Sequence, residues 1–235
     1  MARKREPKVL PKAKPRAPLT KDRVLRAAIA VADETGIESL SMRKVGEVLG
    51  VEAMSLYSHV ASKEEILDGI VDIVVGEIEI AFPKGDWKAA MRLRARSAHQ
   101  VLLQHRWASL LIESRTNMGP ARLRYFDAVI GRLREAGFSI EMAYNAFLAM
   151  DSYIYGFTLQ EVSWPFDPED RSEVVAVLRP QVSPDAYPHV TEIMQYVMGE
   201  RRSEKGGYQA EFEFGLELIL EGLDKFRSRN RGAKA

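Results

Sequence analysis

Cysteine is absent from all 235 residues. That excludes disulfides, thiolate metal sites and a cysteine nucleophile, and it fits a reducing cytoplasm, the expected location. No apolar run is long enough to span a bilayer, so no membrane is expected as a partner. Histidine is scarce: His59, His99, His105 and His189 form no close pair at helical spacing and have no acidic cluster beside them, so neither a metal site nor a cofactor is expected. Each is expected to be a surface or capping residue. A phosphate-binding glycine loop, a G-x-S-x-G elbow and an H-E-x-x-H motif are all missing, which argues against an enzyme. The enzymatic alternative is a helical protein with an unfamiliar acid-base pair, such as Asp151 with a histidine.

What is present is an ordinary globular composition, 46% apolar and 29% charged, whose net charge of +1 conceals an uneven distribution. In "MARKREPKVLPKAKPRAP", residues 1–18, Arg3, Lys4, Arg5, Lys8, Lys12, Lys14 and Arg16 oppose Glu6 alone, and prolines interrupt any helix. This stretch is either a solvated, disordered arm or one that contacts nucleic acid.

After the arm the spacing is helical throughout, and the expected fold is all-α. Thr20 caps a first helix carrying Leu25, Ala28, Ile29 and Ala32, which Gly36 closes. Ser41 starts a short second helix that stops at Gly50. A third begins near Glu52, buries Leu56 and ends close to His59. Ser62 and Glu65 have the spacing of a capping box. They open a helix striped by Leu67, Ile70, Val71, Val74, Val75 and Ile78, with Glu64, Glu65, Asp68 and Asp72 turned away. The break at "FPKGD", residues 82–86, precedes a helix with Trp87, Met91, Ala98, Val101 and Leu102 inside. Leu123, Phe126, Ile130 and Leu133 stripe the next. "SIEMAYNAFLAMDSYIYGFTLQEV" is apolar nearly all round, as in a helix buried on every side. Arg92, Arg94 and Arg96 cannot share one face and are expected to be mostly solvated. The aromatic residues Tyr153, Tyr155, Phe157, Trp164 and Phe166 are expected in the core. A proline-rich connection follows, with at most one short helix. The last helix sets Phe212, Leu216, Ile219, Leu223 and Phe226 at alternating spacings of four and three, the seam of a helix lying along another.

Two short helices joined by a Gly-Val turn are the arrangement that presents a helix to the DNA major groove. A core helix would carry aliphatics on most faces, whereas the third does so only at Leu56. Its outer side offers Ala53 and Met54 for thymine methyls and Ser55 for base edges, with Ser58 beside them. Arg43 from the second helix, whose first residue Ser41 belongs to the same surface, could grip guanine. Lys63, Tyr57 and His59 suit phosphates. The competing explanation is a three-helix module with a solvated face.

"LTKDRVLRAAIAVADETGIESLSMRKVGEVLGVEAMSLYSHVASKEEILDGIVD", including its G-V-x-x-x-x-L-Y-x-H-V-x-x-K run, resembles the N-terminal domain of the tetracycline-repressor (TetR) family. "DWKAA", the His105-Arg106 pair, "AGFS" at 136–139 and "FEFGLELILEGL" resemble a tetracycline-repressor-like C-terminal domain. The resemblance implies a helix-turn-helix (homeodomain-like) DNA-binding domain, residues 19–66, followed by a larger helical ligand-binding and dimerisation domain, residues 67–228, and a tail at 229–235. It further implies a homodimer paired through a four-helix bundle that includes the Phe212–Phe226 seam. The expected function is a ligand-responsive repressor that binds a palindromic double-stranded operator and is released by a small-molecule effector. The alternative is a regulator whose body binds a corepressor or protein partner. Arg94, Ile112, Glu113, Tyr144, Phe147 and Asp151 fall at or near positions that line the family's pocket. The family's namesake holds a magnesium-bound drug partly through two histidines; here Glu79 falls at the first position and Ile112 or Glu113 at the second. Tetracycline is therefore not the expected inducer.

Overall fold

A hydroxyl closes the first turn of three of the four helices in the N-terminal module. Thr20 Oγ1 accepts from Arg23 N at 3.3 Å to start α1 (Lys21–Thr35). Ser41 Oγ accepts from Lys44 N at 3.3 Å to start α2 (Met42–Leu49), and Ser62 Oγ from Glu65 N at 3.1 Å to start α4 (Lys63–Gly76). Each satisfies a donor that the helix itself cannot. The reciprocal bond of Glu65 goes to Ala61 N at 2.6 Å, one residue before the partner a capping box uses. Between α2 and α4 lies α3 (Ala53–Leu56). Gly50, left-handed at φ 66°, makes the turn that redirects the chain into it.

The computed structural model describes residues 18–83, 85–164, 172–198 and 207–232, and all regular structure among them is helical. Most of the expected basic arm therefore lies outside the described residues, as does Phe166. The body comprises α5 (Trp87–Gln104), α6 (Ala108–Ser114), α7 (Pro120–Glu135), α8 (Ile140–Ser163), α9 (Ser172–Leu178), α10 (Pro188–Met198) and α11 (Gly207–Gly232). Among its described residues the proline-rich connection holds α9, a 3-10 turn at Arg179–Gln181 and the first residues of α10, more than the one short helix expected. α11 continues beyond residue 228, where a tail was expected to begin.

One apolar core runs from the module into the body. It passes along α4, whose Leu67, Ile70, Val71, Val74 and Val75 are all buried, and takes in Ile78 just beyond the helix end. α5 buries the five residues expected of it. On α7 Leu133 is buried and Ile130 packs against the core, as expected, but Leu123 is exposed, and Tyr125 and Val129 complete a buried stripe at i, i+4, i+8 with Leu133. α8 is not buried on every side, since Ile140, Tyr144 and Leu148 are exposed.

The three arginines of α5 are not solvated in the way expected. Arg94 is fully buried. Arg92 and Arg96, four residues apart, face α11 and make paired hydrogen bonds to the carboxylates of Glu217 and Glu213, at 2.5 and 2.8 Å and at 2.6 and 2.8 Å. Lys88 adds Glu221 at 2.6 Å and Asp224 at 3.3 Å. Matching four-residue spacings on two antiparallel helices bring each cation to a carboxylate.

Candidate functional site

The outward side of α3 is built by a close approach of its backbone to α2. Gly46 is buried there, and a Cβ on it would lie 2.8 Å from Val51 O and 3.3 Å from Ala53 N. Leu56 anchors α3 with no exposed surface. Around it Met54 is 76% exposed and Tyr57 47% exposed. Ser55 and Ser58 are exposed, and Ala53 and His59 half-buried. Ser58 Oγ donates to Ser55 O at 2.8 Å, so its hydroxyl is committed to the last turn of α3. Arg43 and Lys63 are exposed on either side. Arg43 Nε pairs with Glu47 at 2.8 Å, and both side chains are largely solvated, so the pair opens at little cost. Ser41 is exposed, with its hydroxyl occupied by the α2 cap. Val48 of α2 is 56% exposed, although its spacing with Val45 and Leu49 is that of an inner residue.

The body contains a cavity of about 250 Å³ walled by α4, α6, α7 and α8. Of the six residues expected there, Ile112, Glu113, Tyr144, Phe147 and Asp151 line it. Arg94 stands behind the wall. Its Nη2 pairs with Asp151, its Nε donates to Tyr125 Oη at 2.7 Å, and its guanidinium lies 5.2 and 5.0 Å from the ring centres of Tyr125 and Phe147. Tyr125, Phe126, Tyr155 and Arg122 add polar and aromatic groups to the lining, Val75, Met118 and Leu148 add apolar ones, and none of these was expected in that role. The i, i+4 relation of Asp151 and Tyr155 was the available signal: the phenol donates to the carboxylate at 3.5 Å. Burial pushes the Tyr155 phenol above its usual range, so it stays a donor.

The cavity wall is tied to α4 by the acidic face that had been expected to turn away. Arg122 donates to Arg115 O and Asn117 O at 3.2 Å each and to Ile112 O at 3.3 Å, which gathers the carbonyls between α6 and α7. Arg115 bonds Glu64 at 2.5 Å and Asp68 at 2.6 Å, and Asn117 bonds the other Asp68 oxygen at 3.0 Å. The Arg115 guanidinium holds the Asp68 carboxyl below its usual range. One turn on, Asp72 accepts from Ala121 N at 3.2 Å and Arg122 N at 2.9 Å and so caps α7 from another helix.

Two of the histidines are buried: His105 is the C-cap of α5, a capping role that was expected, whereas His99 lies within α5 and is neither at the surface nor a cap. His105 lies between Asp33 of α1 at 2.8 Å and Glu77 at 3.1 Å, and Trp107 Nε1 donates to the same Asp33 oxygen at 2.7 Å. His99 meets Glu161 at 2.8 Å and stacks on Phe212 at 4.3 Å. Carboxylates distant in sequence supply the partners that make such burial tolerable. Among the described residues, no group of three or more His, Asp or Glu is placed to hold a metal ion.

The α11 seam divides. Phe212 and Leu216 are fully buried in the protomer's own core, along with Leu220. Ile219 and Leu223 pack against that core, and Phe226 is 62% exposed. The four-and-three spacing is thus largely spent on α5 and α8 of the same chain. Gly215 likewise makes room for Tyr153, whose hydroxyl would lie 2.3 Å from an added Cβ. The large apolar side chains left free on α11 before Phe226 are Phe214 and Leu218, 69% and 61% exposed.

This arrangement of an exposed short helix on a helical body is shared with known proteins. Residues 24–70 match the model for bacterial regulatory proteins of the tetR family, and residues 81–227 match the tetracyclin repressor-like C-terminal domain. The chain is 30% identical to the HTH-type transcriptional repressor DrrR1 of Streptomyces coeruleorubidus, over 94% of this chain and 83% of that protein. It is 31% identical to the class A tetracycline repressor from transposon 1721 of Escherichia coli, over 87% and 90%. Among solved structures, apo ActR from Streptomyces coelicolor superposes with a TM-score of 0.75 at 26% identity, over 91% of this chain and 99% of that one. ActR in complex with actinorhodin gives 0.71 at 25% identity, over 90% and 99%. The chain belongs to the tetR family of bacterial regulatory proteins and is a DNA-binding transcriptional regulator with a tetracyclin repressor-like C-terminal domain.

Proposed function

We propose that the protein is a homodimeric repressor that binds a near-palindromic operator through its paired α3 helices and releases it when a small molecule fills the body cavity. The observation that carries this reading is the outward presentation of Ala53, Met54, Ser55, Tyr57, Ser58 and His59 by α3 and the turn after it, held to the core by the fully buried Leu56. Arg43 reads a base edge once Glu47 is displaced, and Lys63 neutralises a phosphate. The exposed strip of α8 through Leu148, Ala149 and Ser152, with Phe214 and Leu218 of α11, supplies the pairing surface. ActR, solved with actinorhodin, supports a small-molecule occupant for the cavity. Bonds from Glu64, Asp68 and Asp72 to the α6–α7 segment give that occupant a physical route to α4, the helix that continues out of the DNA-binding module.

The test is fluorescence anisotropy on a palindromic duplex and its scrambled counterpart at several salt concentrations. Specific affinity should fall with salt by a log-log slope of about 0.9 per neutralised phosphate. Arg43→Ala should weaken binding roughly 5- to 150-fold and relax base preference at one position, whereas Lys63→Ala should weaken all duplexes alike. Parental binding by both variants would remove the residue assignments, and equal affinity for scrambled DNA would remove the function.

A further inference from the structure

The cavity's polar groups are unequally satisfied, and the imbalance specifies an occupant. Asp151 is paired with Arg94 and accepts from Tyr155. Arg122 has given its guanidinium to three carbonyls. One donor of the lining remains. Tyr125 Oη accepts from Arg94 Nε, and among the described residues its own proton has no acceptor, although Tyr125 is only 5% exposed and lines the cavity. Arg94 Nη1 also has no partner among the described residues, but it is buried behind the wall. A buried donor left unmade costs more than a hydrogen bond normally contributes, so a group that completes it binds selectively.

The charges around it limit what that group can be. The positive charge of Arg94 is already balanced by Asp151, and the carboxylate of Glu113 faces the same space. Arg122 brings a second positive charge that is bonded only to neutral carbonyls, so it offsets Glu113 and leaves the lining neutral overall, with no net positive charge to draw an anion. The surrounding Phe126, Phe147 and Tyr144 rings favour a flat, apolar body, and about 250 Å³ suits a compact one of roughly two or three fused rings. Resting on the reading of this cavity as the effector site, we propose that the effector is a compact aromatic compound carrying a neutral carbonyl oxygen, of the ketone, quinone or amide class, which accepts from Tyr125.

Three probes with one naphthalene ring system separate the possibilities: 2-acetylnaphthalene, its near-isostere 2-isopropylnaphthalene without the acceptor, and 2-naphthoate with an anionic one. Binding to the full-length protein would be followed by ligand and tryptophan fluorescence, for the parent and for Tyr125→Phe. The parent should bind the ketone about tenfold more tightly than the isopropyl compound, and the carboxylate more weakly than the ketone. Tyr125→Phe should remove the advantage of the ketone and leave the isopropyl compound unchanged; loss of both would mark a collapsed cavity, contradicting the view that only the phenolic proton matters. Equal binding of ketone and isopropyl compound, or tightest binding of 2-naphthoate, overturns the carbonyl assignment while leaving the cavity as a binding site. Failure of all three to bind the parent overturns the cavity reading itself, and this inference with it.

Discussion

Replacing Gly46 by alanine sets two effects of known sign against each other. In an unconstrained helix interior the change favours folding by about 0.8–1.0 kcal/mol, because glycine has more backbone freedom to lose. At Gly46 the added Cβ meets backbone on the facing segment, 2.8 Å from Val51 O and 3.3 Å from Ala53 N. Backbone atoms cannot rotate away as a flexible side chain can, so α2 and α3 must separate, and overpacking of this kind costs about 1–3 kcal/mol. The steric effect wins by about 1 kcal/mol. Gly131, exposed within α7 and with nothing within 4 Å of a built Cβ, is the internal control. There alanine should stabilise by the full propensity difference, which leaves the two variants about 2 kcal/mol apart. Urea denaturation at one fixed protein concentration measures the gap, and operator binding should weaken for Gly46→Ala alone, since α3 is displaced only there. If Gly46→Ala is as stable as Gly131→Ala and binds DNA like the parent, the tight α2–α3 contact does not exist as described.

The α5–α11 ion pairs should fail in acid. Hydrogen bonds from Arg92 and Arg96 hold the carboxyls of Glu217 and Glu213 below their usual range. A depressed carboxyl contributes stability that is fully present above its unfolded pKa, near 4.5, and is lost as pH falls through the folded value. Thermal melts from pH 7 towards pH 3 should therefore show Glu217→Gln starting lower and losing less than the parent in the acid range; parallel losses would refute the linkage. Leu218→Glu, which places a charge on the exposed strip of α11, should convert a dimer into a monomer by analytical ultracentrifugation without a loss of helicity by circular dichroism. A parent that sediments as a monomer, or a variant that stays dimeric, would show that this strip does not pair the subunits.

The DNA-binding module was legible because its signals are local. Thr20, Ser41 and Ser62 announce helix starts within three residues of the amide they cap, and Gly50 announces the turn. Leu56 as sole anchor of α3 followed from its neighbours being small or polar. In the body the same local reasoning found α5, the stripe of α4, and Leu133 and Ile130 of α7, but it took Leu123 for an inner residue and passed over Tyr125 and Val129, where two apolar stripes overlap. Spacing alone does not rank two such stripes; the partner helix does. On α11 the seam was correctly seen as a packing surface, but its partner is mainly this chain, since Phe212 and Leu216 are fully buried in the protomer.

Charged residues show the deeper reason why the site was only partly visible. Periodicity identifies the side of a helix that avoids the main core, and on α4 it correctly turned Glu64, Asp68 and Asp72 from the apolar stripe. It does not say whether that side meets water or another segment. Here it meets Arg115, Asn117 and the first amides of α7, some 49 to 51 residues further along the chain. Arg94 makes the same point from the inside: with Arg92 and Arg96 it resembled a solvated run, yet its carboxylate lies 57 residues away on α8. A charge can be buried only if its partner arrives with it, and partner choice is a property of the assembled fold. The residues that connect cavity to DNA-binding module are therefore those for which local pattern carries least information, because their chemistry is completed by a different helix.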